Sequence, residues 1–188
     1  MRDFDFWSED KITYDTQINY PKSRANQAKT IELINSIGGL HGAVLDIGGR
    51  NVFTEILEKQ YNINIDSTSG DLDLELNTPR PSYDFVHYNN VIEHQFNPLF
   101  TLLEIKKILK PDGILILGTP LKPNWITWAI CHYHEFDDYR LKKLITRAGY
   151  EIIKSVHFYY QISFKGIRPI IGSFYKRLFL ALLKASSE

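Results

Sequence analysis

The sequence predicts a single α/β domain, a mainly parallel β-sheet flanked by helices, and three observations carry that prediction. Apolar runs suited to buried strands alternate with helical patterns along most of the chain. The first of these runs, AVLDIGG at 43–49, stops at paired glycines and leads straight into a helical pattern. At 188 residues, with 44% hydrophobic and 23% charged side chains, the chain has the length for one substantial core and the composition of an ordinary globule.

Residues Met1 to Tyr20 scatter Phe4, Phe6, Trp7, Tyr14 and Tyr20 among polar residues without a period. Such an arm either packs on the sheet or lies as a lid over a site. From Pro21 to Ile37 a helix is expected: proline suits a first turn, Ala25, Ala28, Ile31 and Ile34 recur near helical spacing, and Gly38-Gly39 ends it. The first strand follows at Ala43 to Ile47. Gly48 and Gly49 lack a Cβ, so they permit positive φ and let a ligand approach the backbone. Asp46, at the strand's carboxyl end, either receives hydrogen bonds from a ligand or ties the loop together. A dinucleotide fingerprint wants a third glycine at the position Phe53 occupies, so a plain tight β-to-α turn stays open as a reading.

A helix is expected over Phe53 to Gln60, and YNINID at 61–66 alternates as a half-buried strand does. Asp66 stands 20 positions after Asp46, the spacing of an acid that accepts both hydroxyls of a ribose; a surface aspartate opening the turn DSTSG is the competing reading. Asp71, Asp73 and Glu75 alternate with Leu72, Leu74 and Leu76. An extended segment with one solvated face accounts for this better than a metal site. Tyr83 to Val91 reads as a buried strand ending in Asn89-Asn90, with Glu93-His94 just beyond. Pro98 to Leu109 has apolar residues at helical spacing and lysines toward its negative end, and Pro111-Asp112-Gly113 breaks it. Ile114 to Thr119 is a strand buried on both faces, Glu135 to Ala148 an amphipathic helix closed by Gly149, and Tyr150 to Phe158 a further strand. The chain thus divides into an α/β domain over 1–158 and a tail over 159–188. In that tail Ile167, Ile170, Ile171, Phe174, Leu178, Phe179, Leu182 and Leu183 form an apolar stripe among Lys165, Arg168, Lys176, Arg177 and Lys184. Read as a basic amphipathic helix, residues 165–184 contact a membrane surface or a partner protein; read more plainly, they pack over the sheet.

Lys and Arg number 22, as do Asp and Glu, so the overall balance offers nothing to nucleic acid. One cysteine, Cys131, excludes an intrachain disulfide and a cysteine-based zinc site. The start lacks the basic and apolar regions of a secretory signal, and no apolar run reaches the roughly 18 residues of a membrane span. A cytoplasmic location is the expectation, with association at a membrane through 165–184 as the variant.

Taken together and in order, VLDIGGRN, Asp66, GDLD, YDFVHYNNVIEH, LKPDGILILGTP and HYHEF…LKKLITRAGYEI resemble the class I S-adenosylmethionine-dependent methyltransferases, in the branch with a V-I-E-H segment after the fourth strand. The resemblance spans about 21–158. It implies a Rossmann-like sheet and S-adenosylmethionine as cofactor. It also implies that Asp46, Gly48 and Gly49 shape the loop beneath the methionine part, and that Asp66 takes the ribose hydroxyls. Asp71 and Leu72 would border the adenine, and Asn89 and Asn90 would line the cofactor near its sulfonium. Two departures stand out. The family usually places a helix and a strand between its ribose acid and its adenine acid, yet Asp66 and Asp71 are five residues apart, so an αβ unit is lost between the second and fourth strands. Arg50 occupies a position where a small residue is usual.

Methyl transfer asks the protein mainly to hold a nucleophile in line with the sulfonium. A hydroxyl acceptor gains from a general base, for which His94, His132 and His134 are the candidates, beside Glu93 and Glu135. Trp125 and Trp128 could wall a substrate pocket. Glu93-His94 also resembles part of a metal-dependent subset, but Asn90 and Asn97 stand where further acids are expected, and no metal is assigned. The expected activity is transfer of a methyl group to an oxygen or nitrogen of a small molecule or of a glycan or lipid-linked intermediate. The alternative is a non-catalytic module that keeps the fold and serves as a partner subunit. A nicotinamide-dependent oxidoreductase lacks both the third glycine and visible hydride-transfer machinery.

Overall fold

The structure, a computed structural model, describes residues 21–79, 82–121, 132–161 and 175–186. The arm over 1–20, Trp125, Trp128 and the stripe from Lys165 to Phe174 lie outside the described residues.

Helix α1 spans Pro21–Asn35, and β1, Val44–Asp46, is buried along its whole length. Asn51 starts α2, Val52–Tyr61, through a capping box: its Oδ1 accepts the N–H groups of Phe53 and Thr54, and the Thr54 hydroxyl accepts the Asn51 N–H. This helix runs through Tyr61 and closes on left-handed Asn62 at φ 53°, so β2 is only Ile65–Ser67 and not the whole of 61–66. Strand β3 covers Tyr83–Asn89, followed by a 3-10 turn at Ile92–His94 and by α3, Pro98–Ile108, capped by Asn97. Strand β4 spans Leu109–Leu121; its ladder to β3 slips between Tyr83 and Phe85, so that Lys110 to Gly113 bulge out before the buried run. Helix α4, Asp138–Arg147, starts on Asp137 rather than at Glu135, because the Asp137 carboxylate accepts the Arg140 N–H. Strands β5, Tyr150–Gln161, and β6, Tyr175–Ala185, complete the sheet.

The strand order is β2-β1-β3-β4-β6-β5, with β1, β2, β3 and β4 parallel and β6 antiparallel to both neighbours. No further strand separates β2 from β3 in the chain among the described residues, so the sheet is short by the αβ unit the sequence leads one to expect missing. The two faces alternate residue by residue. Leu180 and Leu182 pack with Val44, Phe85 and Ile116 beneath α1 and α2, whereas Phe179, Ala181 and Leu183 pack with Val86, Leu115 and Leu117 beneath α3 and α4. That alternation corrects the C-terminal reading: residues 175–185 are an interior strand, not an amphipathic helix. Phe179 to Leu183 is an unbroken apolar run that fits a strand buried on both sides, and a boundary at 158 would cut through the sheet. No helix among the described residues is long and apolar enough to cross a membrane.

The connection from β2 to β3 also differs from the extended segment expected at Asp71 to Leu76. It turns, with the Leu74 and Glu75 N–H groups bonded to the Asp71 carbonyl. Leu72 and Leu76 lean on the core, Leu74 points to solvent, and Asp73 accepts the backbone N–H groups of Phe96 and Asn97 at 2.9 and 2.8 Å. The period-two acids are therefore not one solvated face: Asp73 clamps the loop after the 3-10 turn.

Candidate active site

The glycine loop sits at the carboxyl end of β1, where an α/β sheet leaves its crevice. Gly48 and Gly49 have φ of 102° and 86°. A Cβ at Gly48 would lie 2.6 Å from Val91 Cγ2, whereas a Cβ at Gly49 would meet nothing within 4 Å. The first glycine thus permits close packing against the chain leaving β3, and the second keeps the backbone open. The Gly48 N–H donates to the hydroxyl of buried Thr68, which joins the loop to the end of β2.

Asp46 resolves to the second of its two readings. It is 2% exposed, and both oxygens serve the protein: Oδ1 lies 2.7 Å from His87 Nδ1, and Oδ2 accepts the Thr54 hydroxyl and the Asn51 amide. It supports the loop from below. Arg50 is carried away to α2, where it pairs with Glu58 through both guanidinium nitrogens; Glu58 also accepts the Ile65 N–H. That hydrogen-bonded guanidinium holds the Glu58 carboxyl below its ordinary range. Asp66 lies on β2 opposite Leu45 and accepts a hydrogen bond from the buried Tyr83 hydroxyl at 3.2 Å. Asp71 is exposed and accepts the Asp73 N–H; Leu72, half-buried, packs against the core.

At the end of β3, Asn89 is braced against α1: its amide donates to Thr30 at 3.4 Å, and its carbonyl oxygen accepts the Asn26 amide at 3.5 Å. Gly118 on β4 makes room for it, since a Cβ there would lie 2.2 Å from Asn89 Oδ1. Asn90 is left-handed at φ 56° and donates its N–H to the Gly118 carbonyl. Four residues past Asn90, the 3-10 turn presents His94.

Of the three histidine candidates, the structure brings His94 and His132 together, ring centroids 4.9 Å apart in edge contact. His134 is engaged elsewhere, its Nε2 at 3.3 Å from the Phe96 carbonyl and its ring stacked on Phe136. Glu93 is 1% exposed; its Oε2 accepts the Thr119 hydroxyl at 3.0 Å, its Oε1 lies 3.9 Å from His94 Nε2, and its carbonyl accepts the N–H groups of Tyr133 and His134. Glu135 Oε1 lies 3.3 Å from His132 Nδ1. Glu93, His94 and His132 offer ligand atoms all within 4.8 Å of one another. The acids missing at 90 and 97 are thus not needed to gather a ligand-like cluster, because His132 arrives from across the site. Beneath it, the buried Tyr88 hydroxyl donates to Gln95, and Gln95 to Thr101 at 2.7 Å, fixing the turn on α3; burial raises the Tyr88 phenol well above its ordinary range.

Thr68, Thr119, Thr30, Asn26 and His87 carry no local signal in the sequence. Each matters through a partner at least four positions away.

No curated protein sequence matches the chain. Among solved structures it is similar to the N-methyltransferase NodS from Bradyrhizobium japonicum WM9 in complex with S-adenosyl-L-homocysteine (TM-score 0.65, 16% identity, 91% of each chain covered). It is also similar to 1,6-didemethyltoxoflavin-N1-methyltransferase from Burkholderia thailandensis with bound 1,6-didemethyltoxoflavin and S-adenosylhomocysteine (TM-score 0.61, 18% identity, 92% of this chain and 84% of that one). The [4+2]-cyclase SpnF shares the fold as well (TM-score 0.58, 15% identity, 88% and 84%). At such identities these likenesses show fold alone. A family model described as a methyltransferase domain matches residues 23–155, well over half the chain. The chain therefore belongs to the methyltransferase-domain family, on the class I S-adenosylmethionine-dependent methyltransferase fold.

Proposed function

We propose that the protein binds S-adenosylmethionine and transfers its methyl group to an oxygen or nitrogen of a small molecule or of a glycan or lipid-linked intermediate. The observation that carries this reading is the way Val91 joins two features: it packs against Gly48 on one side and begins the turn that presents His94 on the other. The ligand-facing loop and the histidine pair thereby share one rim. Bound there, the cofactor supplies an electrophilic methyl on a sulfonium. The residues present suit it. Gly49 leaves open space over the loop, and the buried Ser67 hydroxyl at the carboxyl end of β2 has no hydrogen-bond partner among the described residues. Asp66 takes the ribose hydroxyls, Asp71 and Leu72 border the base, Asn89 and Asn90 line the cofactor, and Asp46 supports the loop. His94 and His132 stand where a general base is useful, which favours a hydroxyl acceptor; His134 positions the Phe96 loop.

Two features of the sequence favour a non-catalytic module, Arg50 and the short 66–71 connection. The pairing of Arg50 with Glu58 moves its side chain onto α2, so it gives that alternative no support. Calorimetric titration with S-adenosylmethionine and S-adenosylhomocysteine tests the reading. Micromolar binding, about −8 kcal/mol, that weakens in Asp66→Ala and in the isosteric Asp66→Asn supports it. Absence of binding to either nucleoside by a folded preparation overturns it.

A further inference from the structure

We propose that His87, a core residue 41 positions from Asp46, is a positioning residue that holds the glycine loop in its ligand-receiving shape through Asp46 and Asn51. That the ligand is the methyl donor rests on the reading above. His87 Nδ1 lies 2.7 Å from Asp46 Oδ1, and a carboxylate offers only acceptors, so Nδ1 carries the hydrogen. Asp46 Oδ2 in turn accepts the Asn51 amide at 3.3 Å and the Thr54 hydroxyl, and the same Asn51 amide donates to the Gly49 carbonyl at 3.2 Å. A chain of hydrogen bonds thus runs from β3 to the second glycine, the one with open space over it. The His87 ring also meets Phe53, the second residue of α2, in edge contact with centroids 5.4 Å apart.

Packing alone gives no reason for a histidine here. His87 is 3% exposed, and its neighbours on this face of the sheet are apolar, Val44 and Phe85 one row back and Ile116 across on β4. Its Nε2 is buried with no hydrogen-bond partner among the described residues. An orphaned polar atom of that kind destabilises a fold, and an apolar side chain of similar size removes it. What an apolar side chain cannot supply is the hydrogen at Asp46 Oδ1. Register leaves the task to His87: Asp46 lies between Ser67 on β2 and His87 on β3, and the Ser67 hydroxyl makes no hydrogen bond among the described residues. A buried carboxylate that loses a donor turns toward those it keeps, and here these are Asn51 and Thr54, which carry the loop and the start of α2. Once the loop is spread over several shapes, only the fraction in the receiving one binds, and apparent affinity falls by that fraction.

The full chain is prepared as His87→Asn, His87→Gln and His87→Phe. The amide nitrogen of asparagine stands near the place of Nδ1, that of glutamine near the place of Nε2, and phenylalanine keeps a ring against Phe53 with no donor. Amide exchange followed by NMR reads the loop without ligand, at Gly48, whose N–H is bonded to Thr68, against Leu115 in the core. Relative to Leu115, exchange at Gly48 should quicken about tenfold or more in His87→Gln and His87→Phe, and return toward the natural rate in His87→Asn. Affinity for S-adenosylhomocysteine, measured by calorimetry, should follow the same order and fall about tenfold or more in the first two. Asn51→Ser keeps a capping oxygen on α2 but removes the amide that reaches Asp46 and Gly49, and gives both losses should the His87 variants fail to fold. Equal quickening at Gly48 and Leu115, a His87→Asn variant no better than His87→Gln, or nucleoside binding unchanged in His87→Gln and His87→Phe overturns the assignment and leaves methyl transfer standing. Exchange in the expected order with no nucleoside bound even by the natural chain supports the loop assignment and overturns the methyl-donor reading.

Discussion

Alanine at Gly48 and alanine at Gly49 should have different consequences although the two residues are neighbours with similar backbones. Their φ values of 102° and 86° both lie where an L side chain is strained, which costs about 1–3 kcal/mol at either position. Only at Gly48 does the new Cβ collide, 2.6 Å from Val91 Cγ2, and Val91 is 6% exposed with little room to yield. Overpacking of that kind adds about 1–3 kcal/mol, so Gly48→Ala should cost roughly 2–6 kcal/mol in total and Gly49→Ala only the strain. Urea unfolding without ligand measures both, and the cycle with Val91→Ala isolates the collision as a coupling of about 1–3 kcal/mol. Binding should rank them the other way relative to stability. Gly49→Ala fills the open space over the loop and should weaken S-adenosylhomocysteine at least tenfold, about 1.4 kcal/mol, while the protein stays folded. Equal destabilisation by the two variants, or a cycle that closes with no coupling, would refute the assignment of Gly48 to packing and Gly49 to the ligand.

Phe179→Ala removes a fully buried ring from the centre of β6 and should cost about 3–5 kcal/mol by denaturant unfolding; a loss below 1 kcal/mol, roughly that of a surface change, would place the C-terminal segment outside the sheet. Glu58 gives a pH signature of defined sign. Its carboxyl is lowered in the folded chain, first through the Arg50 hydrogen bond, from an ordinary value of 4.5. The stability it contributes is therefore full above that value and is lost as pH falls through the lower folded one. Thermal melts from pH 7 downward should show a shallower acid limb in Glu58→Gln than in the natural sequence, and parallel limbs would count against the pairing.

What could be read from the sequence was local, and what could not was partnership. The glycine pair, the run at Ile114 to Thr119 and the proline at the start of α3 declare themselves within a few residues, because turns, caps and periodicity act over one or two turns of chain. The run at Phe179 to Leu183 did not, since apolar residues on both faces of a buried strand also fall at helical spacings; only its place between β4 and β5 decides the matter. The same limit governs the site. Asp46 was recognisable as a carboxylate at a strand end, but whether it faces a ligand or the protein depends on His87, 41 residues later. His94 and His132 are recognisable in the sequence only as candidate bases, while their meeting, with Glu93 anchored on Thr119 and His132 beside Glu135, depends on the chain returning across the carboxyl ends of the strands. Because a [4+2]-cyclase also shares this fold, the fold alone does not specify the reaction. The residues on the rim past Val91, where this chain brings Glu93, His94 and His132 together, are the ones whose substitution tests which reaction it carries out.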